Sequence, residues 1–125
     1  LLLWAMVGGA LGSGARHAAN VGFGRWLGSG GFPWWTLSVN IVGCCLMGVL
    51  VEVLAQKFSG SQEMRTFFAT GVLGGFTTFS AFSLDFATLV GRHEHLQAGA
   101  YLIASVAVSI AAFYAGLWLM RVVLT

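Results

Sequence analysis

Charge is what this 125-residue chain has least of: six Lys and Arg and four Asp and Glu, only 8% of its residues. Soluble domains carry roughly a quarter. With 58% apolar residues the chain has too few solvating groups to coat itself for water. That excludes a soluble enzyme, a nucleic-acid-binding domain and a disordered segment. A net charge of +2 is too small to attract a polyanion. The single proline, Pro33, stands just before an apolar run, where a helix starts. The two cysteines, Cys44 and Cys45, are adjacent, so on a helix they diverge by about 100° and do not bridge each other. They read as small packing residues. No Ser-His-Asp set, nucleotide loop or His/Cys cage is present, and His93-x-His95 offers two metal ligands where a site needs more. The chain reads as one domain in hydrocarbon, with no catalytic chemistry.

What the chain has instead is long uncharged runs. They cover 1–15, 26–51, 66–84 and 95–120. A helix needs about 20 mostly apolar residues to cross the bilayer core. The second and fourth runs exceed that length, and the third reaches it through Val90. The first is completed if Arg16 snorkels and a few native residues precede Leu1. It has neither the basic flank nor the cleavage site of a signal peptide. The expectation is an all-α membrane protein of four spans, 1–19, 34–54, 66–90 and 97–121, within a single domain 1–125. Gly22-Phe23-Gly24 with Gly28-Ser29-Gly30-Gly31-Phe32-Pro33, then Ser59-Gly60-Ser61-Gln62, and Arg92-His93-Glu94-His95 separate the spans. Trp26, Trp34, Trp35, Tyr101 and Trp118 fall near span ends, at headgroup level.

The basic residues do not choose a side. In the four-span reading Arg16, Arg25 and Arg92 face one side, and Lys57, Arg65 and Arg121 the other. Orientation normally follows an excess of Lys and Arg in cytoplasmic loops. Two readings stand level: a weak bias settles the matter, or the protein inserts both ways round and opposed copies form an antiparallel dimer. Gly8-x-x-x-Gly12 and Gly71-x-x-x-Gly75 have the small-residue spacing that lets membrane helices approach closely.

The third span is less generic. Gly74-Gly75-Phe76-Thr77-Thr78 is the poorest helix-forming patch in the chain. It is either a break near the bilayer midplane, tolerable only where the freed carbonyls are buried or face water or an ion, or an unbroken helix whose hydroxyls bond to the preceding turn. Past it, Phe79, Phe82 and Phe86 share a sector of about 60°, with Ser80 and Ser83 adjoining. Phenyl rings have positive edges. The stripe is therefore either aromatic core or a surface suited to an anion. Asn40 is a lone amide deep in the second span and needs a partner, a helix or a passing solute. Tyr101, Ser105 and Ser109 recur at i, i+4 and i+8 on one face of the fourth span, each a neutral donor.

Gly9-x-x-Gly12-x-x-x-Arg16, Thr36-Leu37-x-Val39-Asn40-x-x-Gly43 and Gly71-x-x-Gly74-Gly75-Phe76-Thr77-Thr78-Phe79-Ser80-x-Phe82-Ser83 together resemble the Fluc (CrcB) fluoride channels. The likeness runs over essentially the whole chain, and its third-span motif is specific. It implies a fluoride-selective channel of the bacterial inner membrane, exporting fluoride passively and relieving its toxicity. The implied assembly is a dual-topology antiparallel homodimer with two pores. Phe79 and Phe82 match the phenylalanines lining those pores, Asn40 the pore asparagine, and Ser80 and Ser83 a polar track. Tyr101, Ser105 and Ser109 look like the fourth-span polar positions, and Arg16 matches a vestibule arginine. Gly74 and Thr77 match positions whose backbone carbonyls hold a structural Na+ at the dimer axis. Ala81 departs from the family, which often has threonine there; His17 stands where an aromatic residue is common.

Physical chemistry makes the implied roles sensible. A small, strongly hydrated anion must trade its water for short neutral hydrogen bonds, and conduction needs sites weak enough to release it. Asp85, an acid within the third span, is a candidate for a gate or vestibule. One rival is a small dual-topology multidrug exporter, which needs an acid in the first span; 1–15 contains none. Another is a non-conducting assembly subunit, which would use the glycines and leave the Phe/Ser constellation without a role.

Overall fold

The structure, a computed structural model, describes residues 1–27, 33–57 and 61–124, and these contain helices and no strand. Residues 28–32 and 58–60, within the expected separations between spans, lie outside the described residues, as do the side chains of Phe23, Arg25, Trp26, Leu27 and Lys57. Helix α1 is Leu2–Leu27 and α2 is Trp34–Lys57. Helix α3 covers 62–76: a turn at Gln62–Arg65, a wider π-helical stretch at Thr66–Leu73 and a last turn at Gly74–Phe76. After two extended residues, α4 follows at Phe79–Gly91, and α5 at His95–Leu124.

Local chemistry sets these boundaries. The Ser61 hydroxyl accepts the Met64 N–H at 3.2 Å and starts α3. At the end of α4, Glu94 N–H reaches back to the Leu89 carbonyl and His93 N–H to Val90, both at 3.0 Å. This closure requires a left-handed residue, and His93 supplies it at φ 61°. The chain reverses there and α5 starts two residues later.

Among the described residues, three segments are long and apolar enough to cross a membrane: Trp34–Gln56, Gln62–Gly91 and His95–Leu124. Helix α1 has 26 residues and runs through Arg16. At about 1.5 Å per residue its length suffices for a bilayer core. Its glycines and the Arg16-His17 pair keep it less apolar than the other three segments.

The packing falls into two seams. In the first, α1 lies alongside α3 in the same direction, with Gly8 and Gly12 against Gly71 and Gly75. A Cβ on Gly71 would sit 2.8 Å from the Gly8 Cα, and one on Gly75 2.7 Å from the Gly9 carbonyl oxygen. Two expected glycine motifs thus meet each other, backbone on backbone. In the second seam α2 and α5 run parallel. Gly48 lies against the Phe113 carbonyl and Gly116 against the Cys45 carbonyl, and neither place has room for a methyl group. Farther along, Arg121 Nη2 pairs with Glu52 Oε2 at 3.4 Å, and Gln56 donates to the other oxygen at 2.8 Å. Toward the opposite end the apolar core is formed by Leu37, Phe82, Leu89, Ala98 and Tyr101 from α2, α4 and α5. Leucine, isoleucine and valine cover much of the outside, which suits lipid and not water.

Candidate functional site

The site is built around the two residues that separate α3 from α4. Thr77 (φ −81°, ψ 159°) and Thr78 (φ −151°, ψ 124°) are extended. In a continuous helix the Thr78 N–H would bond to the Gly74 carbonyl. Here it donates instead to Asn40 Oδ1 at 2.8 Å, while Asn40 Nδ2 donates to the Thr78 carbonyl at 3.0 Å. One amide side chain from α2 satisfies both polar groups of an extended residue, as a neighbouring strand would. The partner that Asn40 needs is therefore backbone, and one of its amide hydrogens is left for the adjoining space.

Threonine chemistry completes the junction. Thr77 directs both its N–H and its hydroxyl to the Leu73 carbonyl at 3.0 Å, closing α3. The Thr78 hydroxyl accepts the Ala81 N–H at 3.2 Å, capping α4, and lies 3.1 Å from the Ser80 hydroxyl. Gly43, one turn past Asn40, leaves room for the Thr77 methyl group, so the spacing Asn-x-x-Gly on α2 is matched to Thr-Thr on the third segment.

Beside this junction lies an open groove of about 220 Å³. Asn40 and Cys44 line it from α2, Thr77 and Thr78 from the junction, and Phe79 and Phe82 from α4. Ser105, Val106 and Ser109 form its α5 wall. The Phe79 and Phe82 ring centroids are 5.3 Å apart with planes at 32°; Phe82 is buried, whereas Phe79 is 71% exposed at the rim. Ser105 and Ser109 are each only 8% exposed, and neither hydroxyl has a hydrogen-bond partner among the described residues. Buried hydroxyls without partners are costly, and in hydrocarbon more so. They are donors that the groove offers to water or to a solute.

Behind the groove, the fully buried Tyr101 stacks on Phe82 at 5.2 Å and donates its hydroxyl proton to Asp85 Oδ2 at 3.2 Å. Asp85 thus faces a phenol inside the bundle.

Of the residues expected at the site, Phe79, Phe82, Asn40, Ser105 and Ser109 share the groove, and Tyr101 lies against Phe82. Ser80 lies elsewhere. With half-buried Arg16 it lines a second open space of about 400 Å³, together with Trp35, Thr78, Ala81 and Leu84. Ser83 is exposed and lines neither space. Gly74 is exposed at the end of α3. Its carbonyl has lost its usual donor to Asn40, and the Thr77 carbonyl has lost Ala81 N–H to the Thr78 hydroxyl. Both are hard oxygen donors at the negative end of a helix, a set that fits a hard cation. Among the described residues no cluster of three His, Cys, Asp or Glu side chains could hold a metal ion.

Sequence reasoning gave Thr78 no site role of its own and read Cys44 as a packing residue. Thr78 had a signal, a threonine three residues before a helical N–H in need of a cap. Cys44 had one too, a position one helical turn from Asn40.

A multi-helix membrane protein with phenyl rings and neutral donors around a small open groove has the build of one that passes a small solute. Comparison with known proteins sharpens that class. The family described as "CrcB-like protein, Camphor Resistance (CrcB)" matches residues 3–117, and the chain belongs to that family. It is 54% identical over 123 residues, 98% of each chain, to the "Fluoride-specific ion channel FluC" of Chelativorans sp. (strain BNC1). It is 52% identical over 120 residues to the protein of that name from Mesorhizobium japonicum, covering 96% of this chain and 95% of the relative. To that of Nitrobacter winogradskyi it is 45% identical over 122 residues, 98% of this chain and 96% of the relative.

Proposed function

We propose that this chain is a fluoride-specific channel, a multi-pass protein of the bacterial inner membrane that lets fluoride leave the cell passively. The observation that carries the reading is the pair of buried, unpartnered hydroxyls of Ser105 and Ser109 facing Phe79, Phe82 and Asn40 across one groove. Fluoride is small and strongly hydrated, so it enters only where hydrogen-bond donors replace its water. The serines and the spare Asn40 hydrogen are such donors. Phenyl edges add a weakly positive surface. Among the described residues no Lys or Arg lines the groove, so the ion is not held too tightly to leave.

The working unit in this reading is an antiparallel, dual-topology homodimer with two pores. A single chain leaves Phe79 mostly bare and the groove open on one side; a second copy is the natural wall. The even division of basic residues between the two ends supports insertion both ways round. Helix α1 serves as the fourth span, its Arg16 snorkelling to the interface. The Thr77–Thr78 junction then lies near the midplane, with 62–76 on one side and Phe79–Gly91 on the other. The carbonyls of Gly74 and Thr77 from two copies would hold a structural Na+. When bound, that ion would be coordinated by two carbonyls whose usual helical donors bond elsewhere. Arg16 and Ser80 form a vestibule that gathers anions near the α4 N-terminus, where the helix dipole is positive.

The test is direct. Liposomes containing the purified protein and potassium fluoride are expected to release fluoride rapidly to an ion electrode while retaining chloride. Proton-coupled uptake of an aromatic cation would indicate an exporter, and no flux at all an assembly subunit; either result rejects the channel.

A further inference from the structure

The groove contains one polar side chain that the function described so far does not use. Cys44 and Cys45 are both free and half-buried, yet they differ in place. Cys44 lines the groove; Cys45 turns its backbone to α5, where its carbonyl lies against Gly116. On α2, Cys44 follows Asn40 by four residues and so lies on the same face, one turn along. On α5, Ser109 follows Ser105 by the same interval. Because α2 and α5 run parallel, the groove has two matched pairs of donors, Asn40 and Cys44 on one wall and Ser105 and Ser109 on the other. Ser109 is more than nine-tenths buried, has no hydrogen-bond partner among the described residues and borders the same space as Cys44. That unpartnered hydroxyl is the independent sign that a ligand occupies this level of the groove.

We infer that Cys44 is a pathway residue, whose thiol forms the last donor level of the anion track one turn beyond Asn40, opposite Ser109. This rests on the channel reading and adds a specific element to it. A thiol is a weaker hydrogen-bond donor than an amide or an alcohol. An ion that has passed Asn40 and Ser105 therefore meets a softer site, from which it leaves more readily. The same thiol is the point at which a soft metal cation closes the track. Hg2+ forms a Sγ–Hg bond as the S–H bond breaks, and the displaced proton goes to water. The residue then carries a bulky positive group where a neutral hydrogen stood.

The experiment measures fluoride efflux from liposomes holding the full chain, with and without Hg2+. Wild type and Cys45→Ser are expected to lose flux about tenfold or more on Hg2+ addition, and Cys44→Ser to keep it, since an alcohol donates a hydrogen bond and does not bind mercury. Without mercury, both Cys44 variants are expected to conduct less than wild type: Cys44→Ser by a few-fold, since an alcohol holds the ion more tightly than a thiol, and Cys44→Val, which fills the track with a branched apolar group, by about tenfold; each mercury effect is read against the same variant's flux before mercury. Size-exclusion profiles show whether each variant is assembled, and the mercury block of wild type needs no variant. Intact wild-type flux that Hg2+ leaves unchanged, or a block that persists in Cys44→Ser, overturns the role of Cys44 alone. Absence of fluoride flux from wild type overturns the channel reading, and the thiol's part in it falls with it.

Discussion

The α1–α3 seam and the groove between α2, α4 and α5 are both places where helices in lipid meet, and they solve the problem in opposite ways. At the seam Gly8, Gly12, Gly71 and Gly75 let backbone touch backbone, and the atoms nearest to each are backbone atoms of the facing helix. At the groove the helices stand apart, and the gap is lined by Asn40, Ser105 and Ser109, two of which have buried hydroxyls without partners. The α2–α5 pair shows both solutions along its length, closed at Gly48 and Gly116 and opened near Ser105 and Ser109. Close contact provides stability. Separation with orphaned donors costs stability and leaves room for an ion.

The largest effect is expected where the closed solution is spoiled. Gly116→Leu and Gly75→Leu force a side chain into backbone of the facing helix, at a cost of about 3 kcal/mol or more. Loss of the monodisperse peak on size-exclusion chromatography in detergent is the expected result; a well-folded variant would show that the seam is looser than described. Next comes the junction. Asn40→Leu leaves the Thr78 N–H and carbonyl unpaired, and each orphan costs about 1–3 kcal/mol. Faster amide exchange at Thr78 and a lower melting temperature are expected together.

Phe79→Ile separates the two regions. The ring is 71% exposed at the rim, so stability is expected to hold within about 1 kcal/mol while fluoride flux falls by about tenfold or more. Unchanged flux would make the aromatic pair mere packing. Ser105→Ala and Ser109→Ala sharpen the contrast further. A hydroxyl with no protein partner gives up no bond on removal, so the melting temperature is expected to stay or rise slightly while flux drops by roughly three- to tenfold. A melting temperature that falls with no change in flux would return both serines to helix packing. The smallest effect is expected at the far end. Arg121→Gln removes an ion pair whose arginine is 60% exposed, and Gln56 still holds Glu52, so the loss is at most about 1 kcal/mol.

These contrasts also mark how far the residues alone could be read. The charge-free runs and the Gly-x-x-x-Gly spacings were legible because length, polarity and helical period are local properties. Which glycines meet was not, since Gly8 and Gly71 are neighbours only once α1 lies beside α3. The choice between a continuous helix and an interrupted third segment stayed open on composition. Composition also gave no sign of the partner that Thr78 finds 38 residues away, Asn40 bonding to both of its backbone groups. The Phe stripe read off a helical wheel placed Ser80 and Ser83 beside Phe79 and Phe82. The fold instead sets Ser80 in the Arg16 space and leaves Ser83 exposed, because a wheel knows the faces of one helix and not what stands opposite.

From its residues alone, then, this protein was bound to be helical and bound for lipid, because so few charges leave no other solvent in which the chain could fold. Tertiary structure alone decided that the Thr78 backbone pairs with Asn40, that Cys44 joins Asn40 on a groove wall, and that the Ser105 and Ser109 hydroxyls are stranded there. Those outcomes depend on which backbone groups find partners across helices, and such pairing exists only after the helices have met.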